Sequence, residues 1–108
     1  MEIRRDTVFV HTVLYWMRSD TTEADRQRLV DDCAQYLGKI PSVRQIWAGR
    51  PARTPREVVD NTYDVAVTVV LDDKAGHDVY HDHPLHVDFI QRNKRTWKRV
   101  RVYDYLTN

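Results

Sequence analysis

The sequence predicts an α+β domain built on a four-stranded antiparallel sheet with its helices on one face. Three observations lead there. Val8 to Trp16, Val43 to Ala48, Tyr63 to Leu71 and Val100 to Leu106 are dense in β-branched and aromatic residues. Two helical patterns interleave with these segments, so the order is β-α-β-β-α-β. Finally, 108 residues, 42% of them hydrophobic, suffice for one core and not for two domains. Residues 1–108 are therefore expected to form a single domain.

Alternation in the first strand puts Phe9, His11, Val13 and Tyr15 on one face, with Val8, Val10, Thr12, Leu14 and Trp16 on the other. Both faces are apolar, which calls for a helix layer on one side and a second subunit on the other. Asp20, followed three residues later by Glu23, fits a helix start. Leu29, Val30, Cys33, Leu37 and Ile40 then recur at helical spacing, while Arg26, Arg28, Asp31, Asp32 and Gln35 turn away. Gly38 and Pro41 stop that helix near Lys39. In the second strand Val43, Gln45 and Trp47 oppose Arg44 and Ile46. Gly49 to Thr62 holds Pro51 and Pro55 and no stable period, and reads as a loop.

The third strand turns through Asp72-Asp73-Lys74 into a short helix from Ala75 to about Asp82. Pro84 disfavours helical geometry at His83 and suits the first turn of a new helix, which places His83 near the N-cap. That helix is expected to run to about Arg99, with His86, Phe89, Ile90, Asn93 and Trp97 as its inward stripe. The last strand sets Val100, Val102 and Asp104 against Arg101, Tyr103 and Tyr105. The sum is the split βαβ, ferredoxin-like arrangement. Its helices cover one sheet face, so a homodimer through the other face is expected.

Composition excludes several classes. Lys+Arg number 17 against 16 Asp+Glu, a net charge of +1, which offers no large basic field for nucleic acid. The run Lys94-Arg95, Lys98-Arg99 and Arg101 reads as the solvated face of the last helix. The longest apolar run, Val65 to Leu71, is broken by Thr68 and too short to span a bilayer. Met1 to Asp6 lacks the apolar core of a secretory signal. The single cysteine, Cys33, excludes an intramolecular disulfide and reads as a small core residue. A cytoplasmic domain that binds neither nucleic acid nor membrane is the expectation.

The chemistry concentrates in four of the five histidines, His77, His81, His83 and His86. His77 and His81 stand four apart, so a continuous helix gives them one face, as in paired zinc ligands; a solvated His-rich face is the ordinary alternative. His86 lies on the inward stripe and in the first turn after Pro84. There the positive end of the helix dipole disfavours an imidazolium and keeps the ring able to accept a proton. Tyr80, just before the break, can fold over the same pocket, where a phenol donates to an enolate oxygen. His11, between Phe9 and Val13 on the first strand, is the third candidate. A buried His86 bonded only to a carbonyl is the structural alternative, and the clustering of inward polar groups weighs against it. Arg50, after Gly49 at a strand end, is placed either to meet an anionic substrate or simply at the surface.

Tyr80-His81-Asp82-His83-Pro84-Leu85-His86-Val87-Asp88-Phe89 resembles the Y-x-x-H-P-x-H-x-x-F signature of the stress-responsive dimeric α/β-barrel (Dabb) family. His11 in an opening V-x-H-x-V-L strand, Ile40-Pro41-x-Val43, Trp47-x-Gly49-Arg50, Tyr63-Asp64 and Val102-Tyr103-Asp104-Tyr105 agree with it, so the likeness runs from about Val8 to Tyr105. The resemblance implies a ferredoxin-like subunit whose sheet pairs with a second copy to form a barrel. Many members are known only as stress-associated dimers; a plant member closes a linear polyketide by intramolecular aldol condensation. The tyrosine and histidine credited with that reaction fall on Tyr80 and His86, and a pocket-lining strand histidine falls on His11. Two other polar pocket positions do not carry over: Val65 stands for a second strand histidine and Cys33 for a helix tyrosine. That departure implies a drier, differently shaped cavity, with Val65, Phe89 and Arg50 as the substrate-contacting positions. The resemblance also implies a structural magnesium ion on the backbone carbonyls of Leu37, Ile40 and Val43, chemically reasonable for unpaired carbonyls.

Together these readings describe a homodimeric α/β-barrel with a small, mostly apolar cavity. His86 would be general base, Tyr80 hydrogen-bond donor to a carbonyl or enolate oxygen, and His11 would orient a small hydrophobic carbonyl compound. The reaction would be cyclisation, isomerisation or lyase chemistry next to the carbonyl, as in a polyketide-cyclase-like lyase, without an organic cofactor. Two rivals stand beside it. One is a non-enzymatic ligand-binding or stress-associated dimer, for which a cavity of about one water would speak. The other is cofactor-independent oxygenation of an activated aromatic, which needs room for fused rings.

Overall fold

The computed structural model describes residues 7–107, so the reading of Met1 to Asp6 lies outside the described residues. The chain runs β1 (Phe9–Met17), α1 (Glu23–Gln35), β2 (Val43–Gly49), β3 (Val65–Leu71), α2 (Lys74–Asp82), α3 (Pro84–Asn93) and β4 (Trp97–Leu106). Short 3-10 turns at Leu37–Lys39 and Lys94–Thr96 end α1 and α3. The sheet order is β2-β3-β1-β4 with every neighbouring pair antiparallel, the ferredoxin-like arrangement expected.

Alternation decides which face meets the helices. Phe9, Val13, Tyr15 and Met17 of β1 and Val65, Val67, Val69 and Leu71 of β3 are buried beneath Leu29, Cys33, Leu37, Tyr80 and Phe89. Burial of this apolar set is the principal stabilising term. The opposite face is open, and Trp47, Tyr103 and Tyr105 stay more than half exposed upon it. Among the described residues no helix is long and apolar enough to cross a membrane.

Local chemistry departs from expectation in five places. The N-cap of α1 is Thr22, in a capping box with Asp25, because Asp20 is held instead by the Arg18 guanidinium. Asp32 is buried rather than turned away: its carboxylate accepts from Arg92 at 2.8 Å and Asn93 at 3.0 Å, tying α1 to α3. A register shift between Val43 and Gln45 brings Val43 opposite Leu71 and onto the core, while Gln45 and Trp47 keep to the open face. The last helix ends at Asn93, not Arg99. There the Asn93 side chain bonds the Phe89 carbonyl, Thr96 bonds the Asn93 carbonyl, and Trp97 is drawn into pairing with Met17. The basic run therefore lies on a turn and a strand, with the Arg99 guanidinium 4.6 Å from the Trp16 ring centre on the open face.

Candidate active site

Three elements bring the site together. On β1, His11 faces the helices, and the register sets it directly opposite Asp104 of β4, with Nδ1 2.6 Å from Oδ1. On α2, Tyr80 is the side chain turned fully inward. The break that follows is built as the sequence predicts: His83 is the N-cap of α3, its Nδ1 accepting the Leu85 N–H at 3.0 Å, with Pro84 in the first turn. That stop lets α3 start in a new direction and bring His86 back over Tyr80. Their ring centres stand 4.9 Å apart, edge to face, and the His11 ring lies 5.7 Å from Tyr80.

These rings line a cavity of about 180 Å³ between sheet and helices, walled by Val13, Tyr15, Phe89, Trp97 and Val102. Desolvation pushes the His86 pKa down to about 4, helped by the neighbouring His81 and His11, so the ring is neutral at pH 7. Burial raises the Tyr80 phenol above its usual value, with Cys33 adding to the shift, so it keeps its proton. His11 is also lowered by burial, which outweighs the hydrogen bond and charge of Asp104. The chamber thus holds a neutral imidazole that can accept a proton and a phenol that can donate a hydrogen bond, inside apolar walls.

The structure brings His11, Tyr80, His86 and Phe89 together and leaves the other expected positions elsewhere. Val65 is fully buried opposite Tyr15, outside the chamber lining. Arg50 lies in a separate groove with Arg26 and Tyr63, paired with the Glu23 carboxylate and bonded to the Asp64 carbonyl. The Leu37 carbonyl accepts the Ile40 N–H and the Ile40 carbonyl accepts the Val43 N–H. Each of these two carbonyls keeps a second lone pair that a hard cation could use, although no carboxylate stands among Leu37, Ile40 and Val43 to strengthen such a site.

The paired-ligand expectation for His77 and His81 also changes. Their ring centres are 6.2 Å apart and the His81 side chain is 64% exposed beside Asp82. His77 instead leans onto β1, stacked on Phe9 at 4.8 Å and 5.1 Å from His11. Asp104 and His77 are the polar neighbours that sequence reasoning did not attach to the chamber. Asp104 was readable as inward on its strand, but its pairing with His11 depends on the β1–β4 register.

Residues 9–107 match the profile of the Stress responsive A/B Barrel Domain, Dabb. No curated protein matches the chain significantly by sequence. Among solved structures, a Dabb family protein with a ferredoxin-like fold from Mesorhizobium loti is 23% identical, with a TM-score of 0.74 over 92% of this chain and 95% of the other. A dimeric ferredoxin-like protein of unknown function from Thermobifida fusca is 18% identical, with a TM-score of 0.78 over 94% and 92%. A hydroxynitrile lyase from Passiflora edulis is 14% identical, with a TM-score of 0.80 over 94% of each chain. At these identities the likeness carries the fold.

Proposed function

The chain belongs to the stress-responsive A/B barrel (Dabb) family, and from that premise we propose that it is a lyase- or cyclase-type enzyme. It would make or break a bond next to the carbonyl of a small hydrophobic compound. The observation that carries this reading is the convergence of Tyr80 and His86, 4.9 Å apart, in one apolar chamber. Tyr80 donates to the carbonyl oxygen. His86, neutral at pH 7, takes the proton from the adjacent carbon, or from a β-hydroxyl in the bond-breaking direction. The electron pair passes into the enolate that Tyr80 stabilises. A base with a pKa of about 4 is weak in the resting chamber. Negative charge growing on the substrate beside it in a low dielectric raises its basicity as the proton moves. His11, held by Asp104, sets the orientation of the bound molecule.

Size narrows the substrate class. A volume of about 180 Å³ lies below the roughly 300–1,000 Å³ of pockets for drug-sized ligands. Short ketones, aldehydes and hydroxy-carbonyl compounds suit it better than a long polyketide or fused aromatic rings. The hydroxynitrile lyase among the structural neighbours lends this small-molecule reading support by analogy of fold. We also propose that the protein works as a homodimer in the cytoplasm, paired through the sheet face that carries Trp47, Tyr103 and Tyr105. The neighbour from Thermobifida fusca is described as dimeric.

The test is exchange of α-protons for deuterium in a panel of small ketones, followed by proton NMR. Wild-type protein is expected to accelerate exchange, His86→Ala to return it to background, and Tyr80→Phe to slow it by about a hundredfold, within the usual range for acid–base groups. Equal exchange rates for wild type and His86→Ala overturn the proposal. The second reading, a ligand-binding dimer without turnover, is favoured by the low basicity of His86. It predicts saturable shifts of the bound ketone's resonances with no exchange.

A further inference from the structure

We propose that His11, His77 and Asp104 form a binding site for one divalent transition-metal ion of the zinc class, at the rim of the chamber. The proposal goes beyond the acid–base reading and does not depend on it. The potential ligand atoms of these three side chains all lie within 4.8 Å of one another. They come from β1, α2 and β4, three elements locked together by sheet pairing and core packing, so their convergence is not an accident of one flexible segment.

Donor chemistry selects the metal class. Two imidazole nitrogens and one carboxylate oxygen suit zinc, cobalt or ferrous iron better than the hard ions magnesium and calcium. Metal–ligand bonds of about 2.0–2.2 Å require donor atoms about 3–3.5 Å apart. Nδ1 of His11 and Oδ1 of Asp104 share a hydrogen bond at 2.6 Å, so an ion binding both atoms displaces the proton between them and spreads the pair by about half an ångström or more. Rotation of His77 and Asp104 closes the rest, and both side chains retain exposure, 19% and 38%, which also gives an ion its way in. His77 carries the supporting contact usual for a metal-ligating histidine: its Nδ1 stands 3.2 Å from Oδ1 of Asp78, leaving Nε2 free to bind. Three protein ligands leave at least one coordination position open, as in catalytic rather than structural sites.

The neighbouring histidine supplies the internal control. His81 repeats the same local motif, with Nδ1 3.1 Å from Asp82, but belongs to no such ligand group among the described residues. The experiment uses the untagged full chain, stripped with a chelator and titrated with zinc chloride by calorimetry, and with cobalt chloride followed by visible absorption. One ion per chain is expected. His77→Ala and Asp104→Asn should each weaken binding by about tenfold or more and bleach the cobalt bands, while His81→Ala leaves both unchanged. Circular dichroism verifies folding, and His77→Gln replaces the alanine variant if that one is unfolded. Absence of saturable binding, a stoichiometry other than one, or equal losses in the His81 and His77 variants overturns the proposal.

Discussion

The His86 ring is neutral because burial strips it of water, and that has a consequence for stability. Its folded-state pKa of about 4 lies below the ordinary histidine value of 6.5. Above pH 6.5 neither folded nor unfolded chain carries the proton. As pH falls from 6.5 towards 4 the unfolded chain takes it first, so stability is lost across that window and levels off below. His11, also lowered, adds a contribution of the same sign. The melting temperature is therefore expected to drop between pH 6.5 and 4, and His86→Gln to shallow the drop. An unchanged slope in that variant would assign the effect to other groups. His86 and Tyr80 were legible in the sequence because a proline stop and one inward stripe define them locally. Asp104 and His77 were not, because a strand register and a helix lean are properties of the assembled chain.

Helix ends show where element-level reading succeeds and where it fails. His83-Pro84 declared the α2–α3 break outright, and His83→Ala should cost about 1 kcal/mol, a typical cap loss, measured by urea unfolding. The end of α3 was less legible. Lys94 to Arg99 has good helix-forming residues, yet Asn93 and Thr96 divert their hydrogen bonds into a 3-10 turn and Trp97 joins β4. Tertiary pairing outweighed propensity. The same holds for Asp32, which helical spacing sends outward and the Arg92–Asn93 pair draws inward. Asp32→Ala removes the shared acceptor of a guanidinium and a buried amide, and should destabilise by about 2–3 kcal/mol. A loss below about 0.5 kcal/mol, the level of an ordinary surface change, would mean the network contributes no net stability.

At the scale of the molecule, the slab measures 45 × 38 × 19 Å, close to one sheet and one helix layer with roughly 10 Å between their mid-planes. The α+β architecture and the open face were legible because alternation in β1 and β3 makes both faces apolar while the helices can cover only one; the order β2-β3-β1-β4 emerges only from the pairing of the folded strands. On the helix side of β4, Val100, Val102 and Leu106 remain over two-fifths exposed, so the chamber is walled on that side by a strand edge rather than a helix. Light scattering is expected to give twice the 12.9 kDa chain mass. Tyr103→Glu, which places a charge on the open face of the edge strand β4, should shift the species towards monomer. A wild-type monomer at micromolar concentration would refute the sheet-face pairing.

Cys33 lies wholly out of water beneath the sheet, its thiol pushed up to about 12 chiefly by burial and secondarily by Asp32. Only the thiolate reacts, so a disulfide reagent finds no target until the domain opens. With one sulfhydryl per chain, each labelled molecule is one that has exposed Cys33 at least once. The rate of colour release then serves as a clock for the opening that uncovers α1, and a small ketone or a zinc ion that binds only the closed state should slow that clock in proportion to its occupancy.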